Sequence, residues 1–214
     1  FLESNFRPEL GHLIQVVTLD NNCGYGAANN AVLGHLRSEY HLVLNPDTVL
    51  QKDSITKLIQ FLKHRPGTGM VVPKVISACG AEEHVVKTYP SVFVLLLRFL
   101  GSASLNSRFK TVLDVYACRS MRESAESIEL AGGCFFFLKT SVFASLKGFD
   151  PRYFLYFEDF DFCLRLRKHY LIGYEPAAAI THSGGDVGRK AMRHHLHFIA
   201  SALRFFSTHG WKWY

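Results

Sequence analysis

Residues 14 to 19, Ile-Gln-Val-Val-Thr-Leu, form a β-branched run ending at Asp20-Asn21-Asn22, which predicts a buried strand followed by a turn. Small residues from Gly24 to Asn30 then open a helix expected to continue through Leu36. His41 to Leu44 reads as a second strand stopped at Asn45-Pro46-Asp47, because Pro46 cannot donate to a ladder. Ile55, Leu58, Ile59 and Leu62 mark one face of a helix over 53–64, with Asp53 placed to cap it. Gly67 and Gly69 lead into another strand at Met70-Val71-Val72-Pro73. This alternation predicts an α/β domain with helices flanking a mixed, mainly parallel sheet.

The pattern changes over 77–128. Val92 to Leu100 is apolar except for Arg98, and 101–127 is polar. The apolar stretch is too short to cross a bilayer. It reads either as a helix covering one sheet face or, with Phe93, Phe99, Arg98 and Lys110, as an interfacial segment. Order returns at Glu129 with a strand entered through Gly132 and Gly133. Short helices follow over 140–147 and 158–169, then a strand at 178–181 and a helix over 189–206.

Length and composition narrow the class. The 214 residues, 48% hydrophobic and 20% charged, suit one globular domain over 1–214, with 77–128 as a variable acceptor-side or membrane-side insertion. Five cysteines without a C-x-x-C pair argue against a disulfide framework or zinc knuckle and for reduced thiols in a cytoplasmic protein. The chain starts at Phe1 with no visible signal peptide, and that start reads as a position inside a longer protein. A net charge of +6 fits nucleic acid, an anionic membrane surface or a phosphorylated substrate. No basic-aromatic stacking motif accompanies it, so nucleic acid is not expected as a partner.

Three constellations can carry chemistry. Asp47 sits beyond the end of an apolar strand, where α/β sheets bind ligands. A carboxylate there can hold a divalent cation, or it can be a solvent-facing turn residue. Glu158, Asp159 and Asp161 follow the aromatic run Tyr153-Phe-Leu-Tyr-Phe157. Acids at a helix start complement the macrodipole, yet the apolar lead-in suggests carboxylates entering an enclosed pocket, where one can act as general base. His182-Ser183-Gly184-Gly185 lets backbone approach a phosphate, with Arg189 and Lys190 downstream. His194, His195 and His197 read as packing. Gly24-Tyr25-Gly26 lacks the third glycine and ribose-binding acid of a dinucleotide fingerprint, and neither a P-loop nor a nucleophile elbow occurs.

In order, Asn22-Cys-Gly-Tyr-Gly-Ala-Ala-Asn-Asn30, Leu44-Asn-Pro-Asp47, Ala131-Gly-Gly-Cys-Phe-Phe-Phe-Leu138, Gly148-Phe-Asp through Phe157-Glu-Asp-Phe-Asp-Phe-Cys-Leu-Arg165 and His182-Ser-Gly-Gly185 resemble family 2 glycosyltransferases of the GT-A fold, particularly bacterial rhamnosyltransferase-like members. The likeness covers about 14–76 and 129–200. It implies an inverting, metal-dependent transfer of a sugar, rhamnose above others, from a nucleotide diphosphate to a polysaccharide or lipid-linked glycan in cell-surface polysaccharide synthesis. It also implies Mn2+ or Mg2+ as cofactor. Asp159 would be the base, with Glu158 beside it. Asp47 and His182 would bind metal, with Asn45, Asp47, Gly24, Asn29 and Arg189 toward the donor diphosphate and Gly132, Gly133 and Asp161 toward the acceptor. Asn45 stands where the family's first D-x-D acid would be, which removes one charge near the diphosphate. Arg98, Lys110, Arg119 and Arg122 would aid peripheral docking at the inner membrane face.

The family's opening strand–helix–strand unit is missing before Ile14, which implies that about forty to fifty residues precede Phe1. That departure and Asn45 leave one alternative, a non-catalytic transferase fold that binds glycan or membrane.

Overall fold

A computed structural model describes residues 13–183 and 192–214. The chain forms α1 (Tyr25–Asn30), β1 (Tyr40–Leu44), β2 (Thr48–Leu50), α2 (Ser54–His64), β3 (Thr68–Ser77), β4 (Glu82–Glu83) and β5 (Val86–Lys87). Next come α3 (Val92–Leu100), α4 (Ala103–Arg108), α5 (Lys110–Tyr116), β6 (Leu130–Ala131) and β7 (Phe135–Lys139). The last elements are α6 (Thr140–Ser145), α7 (Glu158–Leu166), β8 (Leu171–His182) and α8 (Met192–His209).

Side chains alternate across a strand, and the two central strands use that alternation to build two cores. Met70, Val72, Phe136 and Leu138 face α6 and α7, packing on Phe143, Phe149 and Phe162. Val71, Val75, Phe135 and Phe137 face α2, packing on Leu58, Phe61 and Leu62. Ser54 fastens α2 to β8, its hydroxyl donating to the Ala179 carbonyl at 2.7 Å and accepting from the Ala179 N–H at 3.2 Å.

The main sheet is ordered β1-β7-β3-β8-β2, with β4 on β3. It is mixed, but the expectation of a mainly parallel sheet does not hold: among the described strands only β3/β8 is parallel. A parallel neighbour needs a crossover that returns the chain to the strand's starting end. The excursion from Ser77 to Cys134 instead returns to the sheet antiparallel, pairing Met70 with Leu138. Opposite Pro73, which has no N–H to give, the register of β8 jumps from Glu175 to Ala179.

Other local expectations also change. Residues 14–19 form no strand, and Val16, Val17 and Leu19 are exposed, because no described strand takes up their backbone groups. The helix from Tyr25 ends at Asn30 and a 3-10 turn follows at Leu33–His35, where Val32 and Gly34 are poor helix formers. Asp53 occupies the cap position with φ 63° and makes no side-chain cap bond.

The helix α3 is real but covers no sheet face. It packs on α8 and the Tyr153–Phe157 segment through Leu95, Phe205 and Phe206. Its free N–H groups are met by the C-terminal tail, Val92 donating to the Lys212 carbonyl at 2.8 Å and Phe93 to the Trp213 carbonyl at 3.1 Å.

Candidate active site

The acidic turn at the start of α7 is held in strained geometry. Tyr156 and Phe157 both adopt positive φ, at 70° and 64°, in the two residues before Glu158. Fully buried Tyr153 and buried Phe157 anchor this segment, and Ser201 of α8 donates to the Leu155 carbonyl at 2.8 Å. The aromatic run is therefore a clamp that sets the direction in which the acids enter.

Asp159 is half-buried. Its carboxylate accepts from the Gly133 N–H at 3.0 Å and the Phe160 N–H at 2.8 Å. A Cβ on Gly133 would lie 3.0 Å from Asp159 Cβ, so a glycine permits this approach. The Gly133 carbonyl accepts from the Tyr25 hydroxyl at 2.9 Å, which ties α1 to the same turn. Beside it, Glu158 is buried and its Oε2 has no hydrogen-bond partner. Burial raises both carboxyls above their usual range, and the Asp159 charge raises Glu158 further.

A second group closes against this one. His182 Nε2 lies 3.4 Å from Asp47 Oδ1, and His182 Nδ1 lies 3.2 Å from Glu83 Oε2. Burial pushes the Cys134 thiol up to about 12, and the charges of Glu83, Asp159 and Asp47 act in the same direction. Asn45 follows β1, and its buried side-chain oxygen has no partner. Among the described residues, no group of three or more His, Cys, Asp and Glu is arranged to hold a metal ion. Asp47 offers a carboxylate of the kind that binds a hard divalent cation together with substrate phosphates.

Between these groups and α3 lies a cavity of about 290 Å³ whose lining includes Glu158, Asp159, Gly132, Lys87, Arg98 and Tyr116. Pairing of β5 with β6, Val86 to Ala131 and Lys87 to Leu130, brings Lys87 beside the glycine turn, and Gly132 donates to the Val85 carbonyl at 2.9 Å. Lys87, Tyr116 and Glu83 were not expected from sequence. Their one signal was the run Glu82-Glu83-His84 ahead of Lys87, inside a stretch without periodicity.

The remaining expected residues fall elsewhere. Gly24, at φ 87°, lies against the Phe154 carbonyl, and its missing Cβ would be 2.2 Å from that oxygen. It lines a separate cleft of about 700 Å³ with Arg193 and His197. Asn29 donates to the Tyr25 carbonyl of its own helix at 2.9 Å. Asp161 does not reach the cavity: it is 1% exposed and bound to Arg165 Nε at 2.7 Å and His209 Nε2 at 2.8 Å. Arg189 lies outside the described residues. Asn30 does architectural work, its amide donating to the Phe149 carbonyl at 2.7 Å and accepting from the Phe149 N–H at 2.8 Å. His194 and His197 contact Tyr156 and Phe154, as expected of packing residues.

A family model described as Glycosyl transferase family 2 matches residues 4–128. Rhamnosyltransferase WbbL of Escherichia coli (strain K12) is 25% identical over 189 residues, covering 81% of this chain and 67% of its own. The N-acetylglucosaminyl-diphospho-decaprenol L-rhamnosyltransferase of Mycobacterium tuberculosis (strain CDC 1551 / Oshkosh) is 25% identical over 200 residues, covering 85% and 64%. The chain thus spans about two thirds of the length of these curated relatives. Among solved structures, GalNAc-T7 with UDP, GalNAc and Mn2+ superposes with a TM-score of 0.66 at 13% identity, over 96% of this chain and 38% of that one. S. aureus TarS 1–349 gives a TM-score of 0.52 at 13% identity, over 91% and 55%. At that identity the likeness speaks for the fold, a GT-A-type mixed sheet flanked by helices.

Proposed function

The chain belongs to glycosyl transferase family 2, and from that membership we propose that it transfers a sugar, rhamnose, from a nucleotide diphosphate to a lipid-linked glycan, with inversion. The observation that carries this reading is Asp159, fixed by the Gly133 N–H with the buried Glu158 beside it and facing the cavity. The rhamnosyltransferase relatives support the choice of sugar.

Asp159 takes the proton of the acceptor hydroxyl as its oxygen bonds to the anomeric carbon. The bond from that carbon to the diphosphate oxygen breaks on the opposite face, and the diphosphate leaves with the electron pair. A single displacement needs one base and inverts the centre. Burial lifts that base toward neutral pH, where proton transfer is most effective. Gly132 and Gly133 leave space for the two sugars to meet. Asp47 and His182 would hold the divalent cation, which when bound neutralises the charge developing on the diphosphate. A lipid-linked acceptor would be met at a membrane face.

Calorimetric titration of nucleotide sugars with and without Mn2+ tests the reading. We expect dTDP- or UDP-rhamnose to bind best, binding to depend on Mn2+, and Asp47→Ala to remove that dependence. Asp159→Asn should keep donor binding and lose transfer. Equal weak heats for all sugars, or full transfer by Asp159→Asn, would overturn it.

A further inference from the structure

Gly24-Tyr25-Gly26 is no dinucleotide fingerprint, and all three residues meet at one junction beside the acidic turn. The Tyr25 N–H donates to the Phe154 carbonyl at 3.0 Å, within the aromatic run ahead of Glu158. Gly24 permits that approach, because a Cβ there would collide with the same carbonyl oxygen. A Cβ on Gly26 would lie 2.8 Å from Phe149 Cβ and 3.6 Å from Glu158 Cβ, so the second glycine seats α1 against the start of α7. Between them the Tyr25 ring packs edge-on against Phe149, with centroids 6.1 Å apart. That packing needs only the ring. The hydroxyl reaches further, to the Gly133 carbonyl at 2.9 Å.

Gly133 is where such a hold matters. Its N–H donates to Asp159 Oδ2 at 3.0 Å, and a side chain there would crowd Asp159. The turn is therefore built from two consecutive glycines, the residues with the most backbone freedom to lose. Its flanks are tied by backbone: the Gly132 N–H donates to the Val85 carbonyl at 2.9 Å, and the Asn45 N–H to the Cys134 carbonyl at 3.0 Å. The Gly133 carbonyl between them is held by a side chain, Tyr25. We propose that Tyr25 is a positioning residue for the base: its hydroxyl holds the glycine turn where the Gly133 N–H can bond the Asp159 carboxylate. This rests on the reading of Asp159 as base, and Tyr25 acts through Gly133 rather than on substrate.

A hydrogen bond to a carboxylate favours its charged form, so loosening Gly133 moves the Asp159 titration midpoint up. Glu158 and Cys163 of α7, Tyr25 and Cys134 at the turn and Tyr116 of α5 act on or feel the Asp159 charge. Lys87, Arg98, Glu83 and His84 line the same cavity. Burial pushes the two thiols and two phenols up, so they stay protonated where carboxyls titrate. The remaining groups are common to the wild type and the variants below, so a difference between proteins reports the Gly133 bond.

Carboxyl 13C NMR on the full chain, labelled at Asp, reads that midpoint, with the Asp159 resonance identified by its loss in Asp159→Asn. Tyr25→Phe keeps the ring, and α1 stays attached through the Phe154 carbonyl and the Asn30 bonds to Phe149. It should raise the midpoint by about half a pH unit, and Gly133→Ala, which pushes the turn off the carboxylate, by about one unit. The double variant should move it no further than Gly133→Ala alone, because both act through one bond. Ser54→Ala loosens α2 from β8, away from the site, and should leave the midpoint in place, so lost stability alone does not imitate the effect. The acid limb of kcat against pH, with dTDP-rhamnose as donor, should shift with the NMR midpoint while donor KM stays within about twofold. Circular dichroism confirms that each variant is folded, and Tyr25→Phe decides alone if Gly133→Ala does not fold.

An Asp159 midpoint that stays put or falls in Tyr25→Phe overturns the proposal, and so do single shifts that add in the double variant. The two readings fail separately. Full transfer by Asp159→Asn sinks the base while the Tyr25 effect on the Asp159 midpoint is still measured, and an unmoved midpoint with transfer lost in Asp159→Asn sinks only the role of Tyr25.

Discussion

Asp161→Asn distinguishes a structural acid from a substrate-binding one. The wild-type side chain is 2% exposed and joins its own helix α7, through Arg165 at 2.7 Å, to the end of α8, through His209 at 2.8 Å. Arg165 in turn donates to the Leu146 and Gly148 carbonyls, both at 3.0 Å, which fixes the turn before Phe149. A hydrogen bond to a charged group contributes about 1.5–3 kcal/mol. Asparagine keeps one acceptor oxygen but turns an amide donor toward one of two donor partners, so one such bond is lost and the Arg165 charge loses its counter-ion. The expected cost is about 2–4 kcal/mol, a large share of a domain's stability. Urea unfolding followed by circular dichroism measures it, and His209→Gln in a double-mutant cycle isolates the α7–α8 share. Acceptor KM, measured below the unfolding range, should stay within about twofold, a change worth only about 0.4 kcal/mol. A stability change under about 0.5 kcal/mol together with a large rise in acceptor KM would refute the reasoning and return Asp161 to the acceptor site.

Gly148→Ala should destabilise by about 2 kcal/mol or more, since Gly148 has φ 68° and a Cβ there would lie 2.0 Å from Asn30 Oδ1; a melt unchanged within about 1 °C would contradict this. Asn30→Ala removes both bonds to Phe149 and should cost about 2 kcal/mol in urea unfolding, with transfer falling as α1 and Tyr25 loosen from Gly133. Glu158 has a raised folded pKa, so the folded state binds more protons than the unfolded one, and stability falls as pH rises from the ordinary carboxylate range up to that raised value. Glu158→Gln should flatten that fall in a series of thermal melts across pH, and an unchanged slope would show that Glu158 is not held neutral.

Much of the fold was legible where one physical rule acted alone. Strands β3 and β7 are buried on both faces, so their apolar runs were visible, and α2 showed its face through Leu58 and Leu62. The Lys87 wall was not legible: β4, β5 and β6 are two residues each, too short for any period, and β5 finds its partner β6 far along the chain. Ile14 to Leu19 failed for the opposite reason, a strong local pattern without a described neighbour to pair with. That Asp159 enters a cavity could be read from the aromatic run ahead of it. The strained backbone at Tyr156 and Phe157, which aims it, leaves no trace in residue type because both are bulky aromatics in a conformation that favours glycine.

The contrast between Asp159 and Asp161 follows from helix geometry alone. Residues two apart on an α-helix are separated by about 200° around the axis, so these two carboxylates cannot serve one pocket. Once Asp159 is taken as the group facing substrate, Asp161 must point into protein, where a buried carboxylate needs a partner. Arg165 lies four residues on, at the spacing that places a cation over Asp161, and it makes that bond. The same geometry sets Glu158 and Asp161 three apart, and both are buried. They differ in compensation. Asp161 gained Arg165 and His209 and its charge supports the fold, whereas Glu158 Oε2 gained no partner, and burial raises its carboxyl above the usual range. A single helical turn thus assigns its three acids to three tasks, and the assignment follows from which side of the helix each one leaves and what meets it there.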